Sequence, residues 1–255
     1  MFELPQLDLK NKVPDDEWQL RIDLAACYRL AHSYGWDDTI YTHISARLPG
    51  KDEYLVNAFG LAFDEITASN LVKVNLQGEI LDDSPFKINP AGFTIHSAIH
   101  EVREDAHCVI HLHTNETIVV STLEDGLQPI CQHAMFPLSA IAYHDYEGLA
   151  VNAAEKARLQ QDLGNAHTLM LPNHGALTLG PTVGEAFMRW ADLQRACEVQ
   201  VMALSTGKPL IPIAGNILDT VKTQQNKVHT GSTGGQVSWP AMLRKAYRLD
   251  PSFAK

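Results

Sequence analysis

The sequence has no long apolar run, no excess of positive charge and no signal-peptide pattern. Its apolar runs fall short of the roughly 18 residues that a membrane-spanning helix needs, so we expect no membrane helix. A formal net charge of −10 at pH 7 disfavours binding to nucleic acid or to an anionic membrane surface. The polar start of the chain, Met1 to Lys12, adds to these absences, and together they predict a cytoplasmic protein.

Paired cysteines and nucleotide-binding motifs are also missing. The four cysteines are widely spaced and form no Cys-x-x-Cys pair, so neither a zinc ribbon nor a redox motif is indicated, and we expect reduced, mostly buried thiols. The glycine-rich segment 231–235 follows no predicted strand and is not expected to bind phosphate. What remains is a chain of 255 residues, 45% of them hydrophobic, which suits one large globular domain.

Local patterns predict an α/β protein. Helical apolar spacing and capping signals indicate five helices in the first 205 residues, the last of them the longest. Alternating apolar residues between turn signals indicate short strands. The predicted helices are 17–35, 90–102, 117–124, 152–163 and 183–205, and the predicted strands are 44–47, 54–57, 71–76, 108–112, 169–171 and short segments near Ile130 and Ala140.

The composition changes after residue 205. Gly, Pro, Thr, Ser and Gln dominate from Thr206 to Ser238, which predicts an irregular arm, and a short helix is predicted from Pro240 to Leu249. We therefore divide the chain into an N-terminal extension, a main domain and a C-terminal arm that packs on the domain or on a neighbouring subunit. Their ranges are 1–16, 17–205 and 206–255.

Two apolar segments, 108–113 and 169–175, lead into histidines. Successive side chains on a strand alternate between faces, so His111 and His113 point the same way. Joined by His174 from another strand end, they make a three-nitrogen metal site with positions left open for water or substrate, as in catalytic zinc sites. The alternative is chance, because 12 histidines in 255 residues readily produce a His-x-His pair.

Eight separated motifs occur in an order that composition does not explain. They are Tyr34-Gly35-Trp36, Ile40 to Arg47, Phe59-Gly60-Leu61, Thr67 to Gly78, Ala91 to Ile99, Ile110 to Thr114, Ala142 to Tyr146 and Asn173-His174-Gly175. Over roughly residues 17–204 the chain resembles the class II aldolase/adducin domain family, and it is closer to the adducin head than to the sugar-phosphate aldolases. The resemblance implies a three-layer α/β/α sandwich around a mainly antiparallel central sheet, commonly assembled as a cyclic homotetramer.

The resemblance also implies a metal. In the aldolases of this family two strand histidines and a later histidine bind zinc, at positions that match His111, His113 and His174. The bound ion acts there as a Lewis acid, polarising a carbonyl and a hydroxyl so that an enediolate can form. We expect zinc as the cofactor, with Mn²⁺, Fe²⁺ and Co²⁺ as alternatives.

The chain departs from the aldolase pattern where substrate is held. The glutamate that serves as acid or base in the aldolases aligns with Gly92, and glycine cannot move a proton. The serine pair that holds phosphate aligns with residues 90–91, and a glycine-asparagine phosphate contact aligns with residues 42–43. His43, Asn89 and Gly92 are therefore candidates for substrate contacts, and a phosphorylated sugar is not the expected substrate.

Another residue must supply the missing acid or base. His133 aligns near the place from which such aldolases present a tyrosine acid to the adjacent chain, and Tyr143 is the second catalytic candidate. His43, His144 and Tyr146 are further alternatives, although the segment 143–146 is equally consistent with a structural turn. Among the other polar residues, His96 is expected to face the core, with the site as the alternative. Glu116 is expected as a carboxylate at a helix N-terminus, and His100 and His107 are expected at the surface.

Two functions follow from these residues. The first is a metal-dependent lyase-type enzyme acting on a small oxygenated carbonyl compound by decarboxylation or aldol-type cleavage. The second is a non-catalytic interaction module like the adducin head, with an actin-type partner. The lysine-rich tail of adducins has no counterpart before Lys255, and a scaffold has no need of three metal-competent histidines, so the sequence favours the enzyme.

Overall fold

A seven-stranded sheet with helices on both faces forms the centre of the protein. The computed structural model describes residues 4–5, 7–148, 153–211, 213–229 and 234–255. The predicted helix start at Asn152 and the glycine-rich residues 231–233 lie outside these ranges. The strands are β1 (His43–Arg47), β2 (Glu53–Val56), β3 (Val72–Asn75), β4 (Cys108–Leu112), β5 (Ile141–Tyr143), β6 (Thr168–Leu171) and β7 (Gly175–Gly180).

Eight α-helices and two 3₁₀ helices lie within the described ranges. The predicted helix 183–205 is found with those bounds. None of the helices in the described residues is both long and apolar enough to cross a membrane. The α-helices are α1 (Asp15–Ser33), α2 (Pro90–Val102), α3 (Asn115–Ser121), α4 (Gln132–Leu138), α5 (Ala153–Leu163), α6 (Val183–Ser205), α7 (Ile217–His229) and α8 (Gly235–Leu249), and the 3₁₀ helices are Phe63–Glu65 and Pro251–Ala254.

The sheet is mainly antiparallel, which confirms the predicted fold class. Its strand order is β3-β2-β1-β4-β7-β6-β5. Five neighbouring pairs are antiparallel, and the edge pair β5 and β6 is parallel. In the central pair, His43 of β1 lies directly opposite His111 of β4, and Ser45 lies opposite Val109. Residues paired in this way point to the same face of a sheet.

The alternation of side chains along the strands produces two apolar layers. Cys108 and Ile110 of β4 belong to a large core that includes residues of α1 and α6. Val109, between them, belongs to a smaller core with residues of α2 and α5 on the opposite face. Helices therefore cover both faces, as the three-layer prediction required. His43, Ser45 and His111 lie on the face that α2 covers.

Two local predictions are wrong. The strand expected near Ile130 is absent from the described residues around it, and α4 follows there instead. The stretch from Thr206 to Ser238 is not irregular throughout, because α7 and the first turn of α8 lie within it. Leu218 and Val221 on α7 pack partly buried against the large core, so tertiary contacts stabilise a helix that composition did not reveal.

The end of the chain packs tightly on the domain. The indole Nε1 of Trp239, on α8, donates a hydrogen bond of 2.9 Å to Asp23 on α1. Phe253 is completely buried, and its carbonyl oxygen accepts a hydrogen bond of 2.7 Å from the backbone N–H of Ala68. These contacts attach the last helices to α1 and to the loop before β3.

Candidate metal centre

Three histidine side chains converge at one end of the central strands. His111, His113 and His174 each offer a ring nitrogen, and these three atoms lie within 4.8 Å of one another. The two Nε2 atoms of His111 and His113 are only 3.0 Å apart. We call these three residues the metal cluster. The sequence prediction that they come together is consistent with this geometry.

Strand ends and a tight hairpin position the metal cluster. His111 lies on β4 and His113 directly after it, where Thr114 ends the strand by capping α3 through a hydrogen bond from the Thr117 N–H. His174 lies in the turn between β6 and β7. A side-chain carbon at Gly175 would come within 2.7 Å of the Leu112 carbonyl oxygen, so only glycine lets the hairpin approach β4 this closely.

The hydrogen bonds of the metal cluster fit a cation. His111 donates from Nδ1 to the Ala176 carbonyl oxygen over 3.0 Å, and His113 donates from Nδ1 to the Asp38 carboxylate over 3.1 Å. A neutral imidazole carries one proton, so each Nε2 atom then presents a lone pair. Two lone pairs face each other across 3.0 Å with no hydrogen between them, an arrangement that a shared cation stabilises.

Burial keeps these rings neutral. Removal from water lowers the pKa of His111 well below its usual value, and the neighbouring His113, His174 and His43 lower it further. Burial also lowers the pKa of His113, against the opposing effect of Asp38, and lowers the pKa of His174 to about 4. Neutral imidazole nitrogen is the form that binds zinc.

His43 and Gly92 occupy one place beside the metal cluster. The rings of His43 and His111 are 5.2 Å apart between centroids. A side-chain carbon at Gly92 would lie 2.0 Å from His43 Nε2, far inside any contact distance. The imidazole tip therefore fills the space in which a longer residue at position 92 would begin. Two of the predicted substrate contacts are brought together in this way.

His43 also begins a line of buried polar side chains beneath α2. Its Nδ1 lies 2.8 Å from His96 Nε2, and His96 Nδ1 lies 2.5 Å from the Ser45 hydroxyl. The same hydroxyl lies 2.7 Å from His100 Nε2, and His100 Nδ1 donates to the Ala106 carbonyl oxygen over 2.8 Å. We call His43, His96, Ser45 and His100 the histidine chain.

Comparison with known proteins identifies the family. The profile of the "Class II Aldolase and Adducin N-terminal domain" matches residues 22–201. The "Putative aldolase class 2 protein PA3430" of Pseudomonas aeruginosa is 54% identical over 248 residues, which are 96% of each chain. The chain belongs to the class II aldolase and adducin N-terminal domain family.

Two further comparisons extend the assignment. A solved structure of an aldolase II superfamily protein from Pseudomonas syringae superposes with a TM-score of 0.92 at 43% identity, covering 97% of this chain and 99% of that one. Rat alpha-adducin is 47% identical over 195 residues, which are 74% of this chain but only 26% of the adducin. The adducin match thus concerns one part of a much longer protein.

One prediction for a histidine is wrong. His100 is not a surface residue, because only 1% of it is exposed and it forms the inner end of the histidine chain. His96 is completely buried, as expected for the core, yet its hydrogen bond to His43 also links it to the site. His107, just before β4, is partly exposed.

Three of the candidate acids and bases lie at the end of β5 and in the loop after it, and their surroundings differ. The Tyr143 hydroxyl accepts a hydrogen bond of 3.1 Å from the Leu127 N–H, which ties it to the loop before α4. His144 is buried, and its Nδ1 lies 2.7 Å from Asp162 on α5. Tyr146 is exposed, and its ring centroid lies 6.1 Å from that of His174. Of the three, Tyr146 stands beside the metal cluster.

Two predicted site residues, His133 and Asn89, remain to be placed. His133 lies exposed on α4, a helix that packs on α6 and α7. Asn89 precedes α2, and its side chain makes no capping hydrogen bond. Their predicted catalytic and substrate-binding roles, like that of Tyr143, remain predictions.

Sequence reasoning missed Asp38 and Ser45. Asp38 lies in the loop before β1, and its carboxylate accepts a hydrogen bond from His113 Nδ1. No local pattern separates it from the adjacent Asp37. Ser45 had a detectable signal, because it lies two residues after His43 on one strand and therefore shares its face. The spacing of Gly92, His96 and His100 by four residues placed all three on one face of α2 as well.

Proposed function

We propose that the protein is a metal-dependent lyase-type enzyme that acts on a small, unphosphorylated, oxygenated carbonyl compound. The reaction would be decarboxylation or aldol-type carbon–carbon cleavage. The observation that carries the proposal is the pair of facing Nε2 atoms of His111 and His113, 3.0 Å apart. Class II aldolases depend on a divalent metal, and zinc is the ion that we propose here, ahead of Mn²⁺, Fe²⁺ and Co²⁺.

When bound, the cation would supply Lewis-acid polarisation of a carbonyl or hydroxyl oxygen. His111, His113 and His174 would hold it through ring nitrogens. The Ala176 carbonyl and the Asp38 carboxylate orient two of these rings by accepting hydrogen bonds from their Nδ1 atoms. Such partners typically raise metal affinity by about 10–100-fold.

Decarboxylation suits the residues beside the metal cluster. Loss of carbon dioxide leaves an electron pair on carbon without prior removal of a proton, so no carboxylate base at position 92 is required. Only a later proton donor is needed. Tyr146 is one candidate, because it lines a small cleft together with His174 and Ile95. His133 of a neighbouring subunit is the other.

A homotetramer would complete this site. The cleft beside His174 is small within one chain, whereas the cavity of about 400 Å³ lined by Thr168, Arg189 and Asp192 contains none of the predicted site residues. We propose that a neighbouring subunit completes the walls around the metal cluster. Size-exclusion chromatography with light scattering should then give about four chains, and a stable monomer would contradict a role for His133.

Metal analysis and a substrate screen test the proposal together. The purified protein should hold close to one zinc per chain and release carbon dioxide from at least one unphosphorylated keto acid. His111→Ala should lose both properties, whereas His107→Ala, a histidine on the same segment but outside the metal cluster, should keep both. Activity restricted to phosphorylated compounds would contradict the proposed substrate class.

One observation favours a second function. The identity of 47% with rat alpha-adducin over 195 residues is consistent with a non-catalytic interaction module of the adducin-head type. Such a module has no requirement for metal. A protein that is purified without metal, takes up no added zinc and co-sediments with actin filaments would support this function instead.

A further inference from the structure

The histidine chain has a direction that its buried end determines. His100 Nδ1 faces the Ala106 carbonyl oxygen, which can only accept, so this nitrogen carries the proton. Burial lowers the pKa of His100 to about 3, and His100 Nε2 is therefore an acceptor. The Ser45 hydroxyl, 2.7 Å away, must donate to it.

The direction propagates from Ser45 to His43. The Ser45 hydroxyl already donates its proton to His100. Its oxygen therefore accepts a hydrogen bond from His96 Nδ1, at a distance of 2.5 Å. His96 is buried without a carboxylate partner, and desolvation lowers its pKa well below the usual value. Its Nε2 therefore accepts from His43 Nδ1 at 2.8 Å. Every donor in the histidine chain thus faces one acceptor. If the hydrogen bonds ran in the opposite direction, the Ala106 carbonyl oxygen would have no donor.

The histidine chain ends at His43 with an acceptor nitrogen. With its proton on Nδ1, a neutral His43 presents Nε2 as an acceptor, and this atom is the one that lies 2.0 Å from the place of a side-chain carbon at Gly92. His43 is not among the three residues whose nitrogens converge in the metal cluster. This acceptor nitrogen thus occupies, beside the metal cluster, the place that a side chain at position 92 would take.

We propose that Ser45, His96 and His100 are positioning residues that fix the tautomer of His43, and that His43 Nε2 selects a substrate hydroxyl group. An acceptor attracts a hydroxyl hydrogen and repels the oxygens of a phosphate or a second carboxylate. The substrate class is therefore a hydroxylated carbonyl compound or hydroxy acid. The choice of substrate rests on the proposed function, whereas the tautomer does not.

Long-range proton–nitrogen NMR of the metal-free protein at pH 8 tests the tautomers. His43, His96 and His100 should all show the Nδ1–H form, although the Nε2–H form is the common one for histidine in water. An Nε2–H signal for His43 in the wild-type protein would overturn the proposal. So would a zinc-dependent shift of His43 Nε2 that matches those of the metal cluster, since His43 would then be a ligand.

A distant substitution provides a stricter test. His100→Leu removes the acceptor that orders Ser45, so the hydroxyl can turn and donate to His96, and His43 should move toward the Nε2–H form. Ser97→Ala is the matched control, because Ser97 lies on the same helix and its hydroxyl bonds only the Thr94 carbonyl oxygen one turn back. An unchanged His43 tautomer in folded His100→Leu would contradict the chain. If His100→Leu fails to fold, Ser45→Ala is measured in its place with the same expected and contradicting results.

Ligand binding tests the selection itself. Glycolate and acetate differ by one hydroxyl group, and their dissociation constants can be measured by calorimetry on the zinc-loaded protein. The preference for glycolate should fall roughly 2- to 10-fold in His100→Leu, the value of one hydrogen bond, and stay unchanged in Ser97→Ala. An equal preference in all three proteins would overturn the specificity role while the NMR result stood. Failure to bind zinc would contradict the proposed function alone.

Discussion

The metal cluster and the histidine chain are both built mainly from imidazole side chains on the side of the sheet that α2 covers. They differ in how the ring nitrogens are paired. In the metal cluster, His111 and His113 direct lone pairs at each other. In the histidine chain, each lone pair between His43 and His100 meets a proton. The first group is incomplete without a cation, and the second is satisfied by itself except at its outer end. A histidine count alone does not distinguish a ligand from a buried structural group.

The largest expected effect separates the two groups by metal binding. His111→Ala should reduce zinc affinity by more than the 10–100-fold typical of a lost outer partner, because it removes a ligand. His100→Leu should leave zinc stoichiometry near one per chain. Inductively coupled plasma mass spectrometry after dialysis measures both. Loss of zinc from both variants would mean that the two groups are one unit.

Acid should destabilise the protein in part through the histidine chain. The pKa values of His96 and His100 are lowered in the folded state, so the unfolded chain binds more protons below about pH 6.5. Stability is therefore full above pH 6.5 and falls as the pH decreases, by up to about 1.4 kcal/mol per pH unit for each ring.

Urea unfolding of the metal-free protein between pH 8 and pH 5 measures this slope. His100→Leu removes one of the titrating rings, so its stability should depend less steeply on pH than that of the wild type. A wild-type stability that is constant over this range would contradict burial of neutral imidazoles.

Gly92→Ala should destabilise the protein only while His43 is present. The added carbon would lie 2.0 Å from His43 Nε2, and such overpacking typically costs about 1–3 kcal/mol. In a His43→Ala background the same change should be neutral or stabilising, because alanine is a better helix former than glycine by about 1 kcal/mol. A double-mutant cycle from urea unfolding measures the coupling, and additive effects would show that the two residues do not share one space.

The smallest effect concerns the orientation of a ligand. Asp38→Asn should weaken zinc binding by roughly tenfold, the low end for such partners, because the Asp38 side chain is 43% exposed. Asp37→Asn is the matched control, since Asp37 bonds His32 and not the metal cluster. Competition with a zinc chelator gives both affinities. Equal weakening by the two variants would point to general charge loss instead of a specific hydrogen bond.

Much of the metal cluster could be predicted because it depends on local rules. Strand alternation alone places His111 and His113 together, and the order of motifs adds His174. The partner of His96 could not be predicted, since it depends on how α2 lies across β1 and on the pairing of His43 with His111. The burial of His100 could not be predicted either, since it depends on the contact between α2 and Ser45 of β1.

The wrong secondary-structure predictions have a similar cause. In α7, Thr, Gln and Asn outnumber apolar residues, so the sequence shows little periodicity, yet Leu218 and Val221 pack against the core. Near Ile130, apolar residues suggested a strand, but the following segment folds as α4 against α6. In both places contacts from distant parts of the chain decided the outcome.

The pairing of His43 with His111 has a consequence for how this protein can change over evolution. Shifting β1 by a single residue would turn His43 and Ser45 to the opposite face of the sheet, away from α2. One inserted or deleted residue within β1 would thus remove the proposed substrate contact of His43, and one within β4 would displace the proposed metal ligand His111. Homologues that preserve this chemistry should accept length variation only in the connecting loops.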